Sequence, residues 1–251
     1  MWSVAKRRIM QEMKMNRILI VTGGSVDYEW AADFLSDRKY SYIIAVDGGY
    51  KHVVSLNIKA DAAVGDFDSL DSEIFSSIDK SIVDIYPSEK DFTDTELALH
   101  KAMEIDPDEI DIIGGTGSRA DHFMTSVMNL KFCADKNIKA AIYDKNNKIY
   151  LIENGMSVSI KKEKQYGEYV SLVPLSDIIV TLEGFKYPLD KANVSFVYVI
   201  PFQTTSILLL LSSKSLLSQS ISTNSTSTPR SAATFFARSA SKPIHSLLLS
   251  L

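Results

Sequence analysis

The chain of 251 residues is poor in cysteine. It contains one cysteine, Cys133, which excludes a disulfide framework and a zinc site built from thiolates, and which fits a reducing compartment. Residues 1–15 contain no apolar run of signal-peptide length, so we predict a cytoplasmic protein. Pro201 and Gln203 interrupt the longest apolar stretch, and no segment predicts a membrane span.

Glycine and acidic residues are missing from the last part of the chain. Gly184 is the last glycine and Asp190 is the last acidic residue. Residues 194–251 carry four charged side chains, all basic, and are rich in serine, leucine and threonine. Because tight turns need residues that tolerate positive φ, a folded domain without glycine is unusual. We therefore predict a biased tail at 194–251, whose composition also fits translation out of frame.

The remaining composition is that of a globular protein. Hydrophobic residues make up 45% and charged residues 23%, which excludes disorder throughout and a coiled coil. The net charge of −4 argues against binding to a nucleic-acid backbone.

Strand-like and helix-like patterns alternate over the first 145 residues. This alternation predicts βαβ units and a largely parallel sheet flanked by helices. Predicted strands lie at 17–21, 41–46, 62–64, 82–85, 109–113 and 139–143, and predicted helices at 28–35, 49–56, 71–78, 93–104 and 120–137. After about residue 145, short strands separated by turns predict a smaller antiparallel β-sandwich or barrel. The predicted parts are thus an N-terminal extension (1–15), an α/β domain (16–146), a β-sandwich domain (147–193) and the tail.

Acidic and glycine residues collect just after four of the predicted strands. Ligands bind beyond the carboxyl ends of strands in open α/β sheets, so these segments are candidates for one site. They are Asp47-Gly48-Gly49, Gly65-Asp66-Phe67-Asp68-Ser69, Pro87 to Asp94, and Gly114-Gly115-Thr116-Gly117-Ser118-Arg119-Ala120-Asp121-His122.

Asp66 and Asp68 are candidate ligands of a hard cation. Their i, i+2 spacing can aim both carboxylates at one Mg²⁺, which prefers oxygen ligands. The alternative is that one of them only caps a helix. In the next segment, Thr93 and Glu96 fit a capping box, which leaves Asp91 and Asp94 as candidate ligands.

The glycine run 114–117 has the form of an anion nest between a strand and a helix. It is not a P-loop, because no G-x-x-x-x-G-K-[ST] motif occurs in the sequence, and its match to the dinucleotide pattern is weak. Arg119 beside the run could clamp phosphate oxygens or form a surface salt bridge. Asp121 could serve the site or complete a helix cap. Carboxylates, an anion nest and one arginine suit phosphoryl-type transfer, which needs positioning and charge neutralisation.

Together these motifs, with Asn129-Leu130, closely resemble the bacterial type of thiamine pyrophosphokinase from about Asn16 to Leu189. The resemblance implies Mg²⁺-dependent transfer of pyrophosphate from ATP to the hydroxyl of thiamine, giving thiamine diphosphate and AMP. It also implies an α/β catalytic domain, a C-terminal β-sandwich that binds thiamine, and a homodimer.

By the same resemblance, each motif supplies part of the site. Asp66, Asp68 and Asp91 would hold Mg²⁺ and the triphosphate. Asp94, Arg119 and Asp121 would serve the transfer, with Asp94 or Asp121 taking the proton of the hydroxyl. The nucleotide would be bound by Asp47, Gly48, Gly49, Asp91, Thr93, Gly114, Gly115, Gly117 and Arg119.

The sequence departs from the family after Leu189, where it passes into the tail. We therefore expect a nearly complete ATP site and a truncated β-sandwich with an incomplete thiamine site. Two other functions stay open: a Mg²⁺-dependent phosphohydrolase, and a non-catalytic binder of nucleotide or thiamine.

Overall fold

The computed structural model of the chain describes residues 15–86, 92–117, 119–153, 156–161, 165–167 and 170–195, and the backbone of strands at 207–212, 220–223 and 233–234. The chain divides into two compact units, Met1–Tyr150 and Leu151–Leu251. The predicted boundary lies a few residues earlier, between 146 and 147. No helix among the described residues has the length and apolar content that crossing a bilayer requires.

A mainly parallel sheet forms the first unit. Its strands are β1 (Arg17–Val21), β2 (Tyr42–Val46), β3 (Ala62–Gly65), β4 (Val83–Ile85), β5 (Glu109–Ile113), β6 (Lys139–Tyr143) and β7 (Lys148–Glu153). They lie in the order β4-β3-β2-β1-β5-β6-β7, and every pair is parallel except β6 with β7. The predicted α/β fold class is confirmed.

Helices connect the parallel strands. They are α1 (Tyr28–Ser36), α2 (Tyr50–Ser55), α3 (Ser72–Ser77), α4 (Asp94–Met103) and α5 (Ala120–Asp135). Each begins and ends within two residues of its predicted bounds. Helix α4 contacts β2 and β3, and α5 contacts β6.

The core of the first unit is the centre of this sheet. Residues Ile18 to Val21 of β1 have no exposed surface, and Ile110, Ile112 and Ile113 of β5 are equally buried. A parallel strand is covered on both faces, so its sequence is continuously apolar instead of alternating. Cys133 on α5 is also buried, and burial raises the pKa of its thiol to about 12, which makes it an inert core residue.

One carboxylate interrupts this apolar core. Asp111 in β5 is only 5% exposed. Its Oδ2 accepts a hydrogen bond of 2.8 Å from the Tyr40 hydroxyl and lies 3.5 Å from Nε of Arg38. Burial raises the pKa of Asp111, because a low-dielectric environment disfavours the charged form. The Tyr40 hydroxyl and the Arg38 guanidinium offset the cost of burying the charged carboxylate.

Replacing Tyr40 with phenylalanine is therefore expected to lower the free energy of unfolding by about 1–3 kcal/mol, because it removes the shorter of the two contacts to the buried carboxylate oxygen. Tyr42→Phe is the control, since the Tyr42 hydroxyl makes only a 3.4 Å contact to the carbonyl of Asp61 at an exposed position. Urea denaturation of both variants measures the difference. Equal losses for the two variants would contradict the role given to Tyr40.

The second unit is a smaller β structure. Its strands are β8 (Ser157–Ser159), β9 (Val170–Pro174), β10 (Ile178–Glu183), β11 (Leu189–Val194), β12 (Ile207–Ser212), β13 (Ser220–Thr223) and β14 (Ala233–Thr234). Strands β10 and β11 form an antiparallel hairpin. The last three strands lie in the segment for which we predicted a biased tail. Of these, β12 is parallel to β9, and β13 is parallel to β8 and β10 and antiparallel to β14.

Candidate active site at the carboxyl edge of the sheet

Three aspartates converge where β2 and β3 end. Carboxylate oxygens of Asp47, Asp66 and Asp68 all lie within 4.8 Å of one another. Two of the three predicted metal ligands, Asp66 and Asp68, are thus brought together. Asp47, which was predicted to bind nucleotide, joins them in what we call the acidic cluster.

The backbone conformation of both loops brings these side chains together. Asp47 has a φ of +46° and Phe67, between the other two aspartates, has a φ of +59°. Gly65 has a φ of +148°, and a Cβ there would lie 3.0 Å from the Cα and Cβ of Asp47. Glycine at 65 therefore allows Asp47 to approach the end of β3. Strained backbone of this kind is common at functional sites.

Hydrogen bonds hold two of the three carboxylates in place. The Ser69 hydroxyl donates to Oδ2 of Asp47 at 3.0 Å, and the backbone N–H of Asp68 donates to Oδ1 of Asp66 at 3.2 Å. The other oxygen of Asp47, Oδ1, is buried and has no hydrogen-bond partner among the described residues. A buried carboxylate oxygen is costly unless a donor or a cation binds it.

Negative charge is concentrated at this cluster. Repulsion from Asp66 raises the pKa of Asp68, with burial and then Asp47 and Asp94 as further causes. Asp94, the first residue of α4, is therefore close enough to act on the cluster. A bound cation would relieve this repulsion.

The helix-capping alternative for Asp66 and Asp68 does not apply. Helix α3 begins at Ser72, and its N-cap residue is Asp71.

The capping box before α4 is confirmed: the Thr93 hydroxyl accepts from the N–H of Glu96, and the Glu96 carboxylate accepts from the N–H of Thr93. This contact accounts for Thr93 without a ligand, so its role in nucleotide binding stays a prediction. Asp91 lies outside the described residues.

The glycine run after β5 packs against the loop that follows β1. The N–H groups of Gly24 and Ser25 donate to the carbonyls of Gly114 and Thr116, at 3.0 and 2.7 Å. A Cβ on Gly24 would lie 2.2 Å from the Gly114 oxygen, which only glycine avoids. On its other side, Gly23 lies against the backbone of Gly48 and Gly49. The β1 loop, defined as Thr22 to Ser25, thus lies between the two glycine segments that were predicted to bind nucleotide, 48–49 and 114–117.

Comparisons with known proteins show the family to which the chain belongs. A family model described as "Thiamin pyrophosphokinase, catalytic domain" matches residues 36–142, and one described as "Thiamin pyrophosphokinase, vitamin B1 binding domain" matches residues 156–202. The thiamine pyrophosphokinase of Bacillus subtilis is 36% identical over 185 residues, which cover 72% of this chain and 85% of that protein. The chain belongs to the thiamine pyrophosphokinase family. This confirms the resemblance seen in the sequence, and with it the assignment to a family of enzymes that form thiamine diphosphate.

Solved structures of thiamine pyrophosphokinases have the same fold. The Bacillus subtilis structure has a TM-score of 0.60 at 27% identity, and the match covers 90% of this chain and 100% of that one. The Geobacillus thermodenitrificans structure has a TM-score of 0.61 at 26% identity, covering 90% and 98%. The Candida albicans structure has a TM-score of 0.66 at 14% identity, covering 90% and 86%, which shows the likeness of fold alone.

Two further residues predicted for the thiamine pyrophosphokinase site pair with each other. Nη2 of Arg119 lies 2.6 Å from Oδ2 of Asp121, and both side chains are about two-thirds exposed, at 65%. The Arg119 guanidinium lowers the pKa of Asp121, because it stabilises the ionised carboxylate. The surface salt bridge considered for Arg119 is therefore present.

The β1 loop and Ser69 were given no role from the sequence. Thr22-Gly23-Gly24-Ser25 follows a strand and contains a glycine pair, which is the same signal that singled out the other loops. It carries no charged side chain, so it lacks the carboxylates that mark the other loops as candidate metal or phosphate sites. Ser69 belongs to the motif of Asp66 and Asp68, but its bond to Asp47 depends on the tertiary structure.

Proposed function

We propose that the chain transfers the pyrophosphoryl group of ATP to the hydroxyl of thiamine, giving thiamine diphosphate and AMP, with Mg²⁺ required. Membership of the family supports thiamine diphosphate formation and implies ATP as co-substrate. The observation that carries the Mg²⁺ part is the acidic cluster, in which three carboxylates meet and one buried oxygen lacks a partner among the described residues.

The acidic cluster fits Mg²⁺. Its donors are all carboxylate oxygens, which are the ligands that Mg²⁺ prefers. We propose that Asp47, Asp66 and Asp68 hold the ion, together with Asp91 as the sequence suggested. When bound, Mg²⁺ neutralises charge on the phosphate oxygens of ATP.

Proton removal from the thiamine hydroxyl is the second task of the site. The hydroxyl is a poor nucleophile, so a carboxylate must take its proton as it attacks. Of the two candidates, Asp121 is paired with Arg119, which lowers its pKa and makes it a weaker base. The charge of Asp94 contributes to the raised pKa of Asp68 in the acidic cluster. We therefore propose Asp94 as the proton acceptor.

The remaining residues would orient the two substrates. The glycine segments 48–49 and 114–117 and Arg119 are proposed to bind the nucleotide, as the sequence suggested. Thiamine carries a fixed positive charge, which the acidic surroundings favour. The match of residues 156–202 to the vitamin B1 binding domain supports thiamine binding by the second unit. An incomplete thiamine site, a homodimer and a cytoplasmic location stay predictions from the sequence.

Product analysis tests the proposal. The chain is incubated with ATP, thiamine and Mg²⁺, and nucleotides and thiamine esters are separated by chromatography. We expect AMP and thiamine diphosphate in equal amounts, and neither product when Mg²⁺ is chelated or in the Asp66→Asn variant. Turnover no higher than in that variant would contradict the proposed transfer and favour the expectation of an incomplete thiamine site, while release of inorganic phosphate alone would favour the phosphohydrolase.

A further inference from the structure

A buried histidine connects α1 and α2 to the β1 loop. His52 on α2 is 4% exposed. Its Nε2 lies 2.8 Å from the carbonyl oxygen of Gly24, and its Nδ1 lies 2.9 Å from the hydroxyl of Tyr28, the first residue of α1.

The two contacts fix the protonation of the imidazole ring. A backbone carbonyl can only accept, so Nε2 must carry the proton and donate to Gly24. Nδ1 of the neutral ring then accepts from the Tyr28 hydroxyl. Burial lowers the pKa of His52, which favours this neutral form. The result is a directional chain of hydrogen bonds from Tyr28 through His52 to Gly24.

Gly24, where this series of hydrogen bonds ends, lies at a topological switch point of the sheet. From β1 the sheet is built outward in one direction through β2, β3 and β4, and the chain then returns to place β5 on the other side of β1. Ligands of open α/β sheets bind outside the carboxyl ends of such strands. Here that position is occupied by the β1 loop and the glycine run after β5, which are joined through Gly24 and Ser25.

The β1 loop is held on both sides of Gly24. On one side, the Gly24 N–H donates to the carbonyl of Gly114. On the other side, the Gly24 carbonyl accepts from Nε2 of His52. Loss of the histidine bond would leave the carbonyl without the donor that ties it to α2. The loop would then keep its bonds to the glycine run and the backbone contact of Gly23 with Gly48 and Gly49, but the Gly24 carbonyl would no longer be fixed.

We propose that His52 is a positioning residue for nucleotide binding, which through its hydrogen bonds to Tyr28 and Gly24 holds the β1 loop where the phosphate chain of a nucleoside triphosphate binds. The inference rests on the proposed function, since it assigns the switch point to ATP. Tyr28 orients His52, and neither side chain touches the reacting groups.

Two substitutions at position 52 separate the hydrogen bonds from simple packing. Glutamine can donate from its amide nitrogen to Gly24 and accept at its amide oxygen from Tyr28, whereas leucine fills similar space and does neither. His100→Leu is the control, because His100 makes ring contacts with Phe92 and Phe132 on the α4 side. Tyr28→Phe removes only the hydrogen bond from Tyr28 to His52. This milder variant serves as the test if His52→Leu folds poorly.

The experiment measures amide hydrogen exchange by NMR, the Kd for ATP with Mg²⁺, and the KM values for ATP and thiamine. In His52→Leu we expect faster exchange at Gly24 and Ser25, an ATP affinity about tenfold lower, and a raised KM for ATP but not for thiamine. His52→Gln and His100→Leu should stay within about threefold of the unsubstituted chain, and Tyr28→Phe should lie between.

The outcomes distinguish this inference from the proposed function. If the unsubstituted chain binds ATP and His52→Leu binds it equally well, only the role of His52 is wrong. Faster exchange without weaker ATP binding likewise overturns it, because the bond would then serve the fold alone. If the unsubstituted chain binds no ATP, the proposed function fails and the inference fails with it.

Discussion

Replacing Asp68 with alanine is expected to abolish the Mg²⁺-dependent part of ATP binding and to lower transfer to thiamine by about 100-fold or more. Asp68 supplies one of three carboxylates that lie within 4.8 Å of one another. Substitution of residues that hydrogen-bond to a metal ligand costs about 10- to 100-fold in metal affinity or activity. Loss of a ligand itself should cost at least as much. Calorimetric titration of ATP with and without Mg²⁺ measures the binding, and AMP release measures the transfer.

Asp71→Ala is the matched control for this substitution. Asp71 lies three residues further along, is exposed, and as the N-cap of α3 makes no side-chain capping bond within the described part of the chain. Its replacement should leave ATP binding and transfer nearly unchanged. Mg²⁺-dependent ATP binding by Asp68→Ala at close to the original affinity would show that the acidic cluster does not hold the ion.

The second large effect is expected from Gly24→Ala. An alanine Cβ at this position would lie 2.2 Å from the Gly114 oxygen and 2.3 Å from the Thr116 oxygen, both of which are backbone atoms. The β1 loop would have to move away from the glycine run, with loss of the bonds that Gly24 and Ser25 donate. We expect the free energy of unfolding to fall by about 3 kcal/mol and ATP binding to be lost. Thermal unfolding and ATP titration measure the two effects.

Gly23→Ala provides the comparison, because the nearest atoms to its Cβ would lie at 3.4 Å, in ordinary van der Waals contact. This variant should fold and bind ATP nearly as well as the unsubstituted chain. If Gly24→Ala folded and bound ATP as well as Gly23→Ala, the close approach of the two loops would contribute neither to stability nor to ATP binding.

Much of the α/β unit could be predicted because its local signals agree with its tertiary structure. Strands buried on both faces are continuous apolar runs, as in Ile18 to Val21. Thr93 and Glu96 mark the start of α4 by a capping box that depends on four residues only. The location of the site followed from parallel topology, since each strand delivers its carboxyl end to the same edge.

The composition of the site was harder to predict, because it depends on backbone geometry between distant residues. Asp47 joins the acidic cluster only because its own φ is +46° and Gly65 leaves room for it. The bond from His52 to Gly24 spans 28 residues and has no sequence signature. The β1 loop acts through its backbone, so its side chains give no chemical signal.

The second unit was the least predictable part. Composition alone suggested a biased tail from residue 194, yet the segment contains β12, a run of isoleucine and leucines that pairs with β9. An apolar run can form a strand without glycine or charge when neighbouring strands supply its partners. The absence of glycine from this segment limits the tight turns that can connect its strands. It does not prevent the strands themselves from forming.

The pairing of β1 with β5 has a consequence for how the protein folds. Arg17 lies opposite Glu109 in this pair, and the chain makes four strand–helix–strand crossovers between the two strands. Closing so long a loop is slow, because its entropy is lost before the new contacts compensate. On the ribosome the two central strands cannot meet until more than a hundred residues have been made. The crevice between their ends is therefore among the last features of the unit to form, and a nucleotide that binds there would stabilise only the fully assembled sheet.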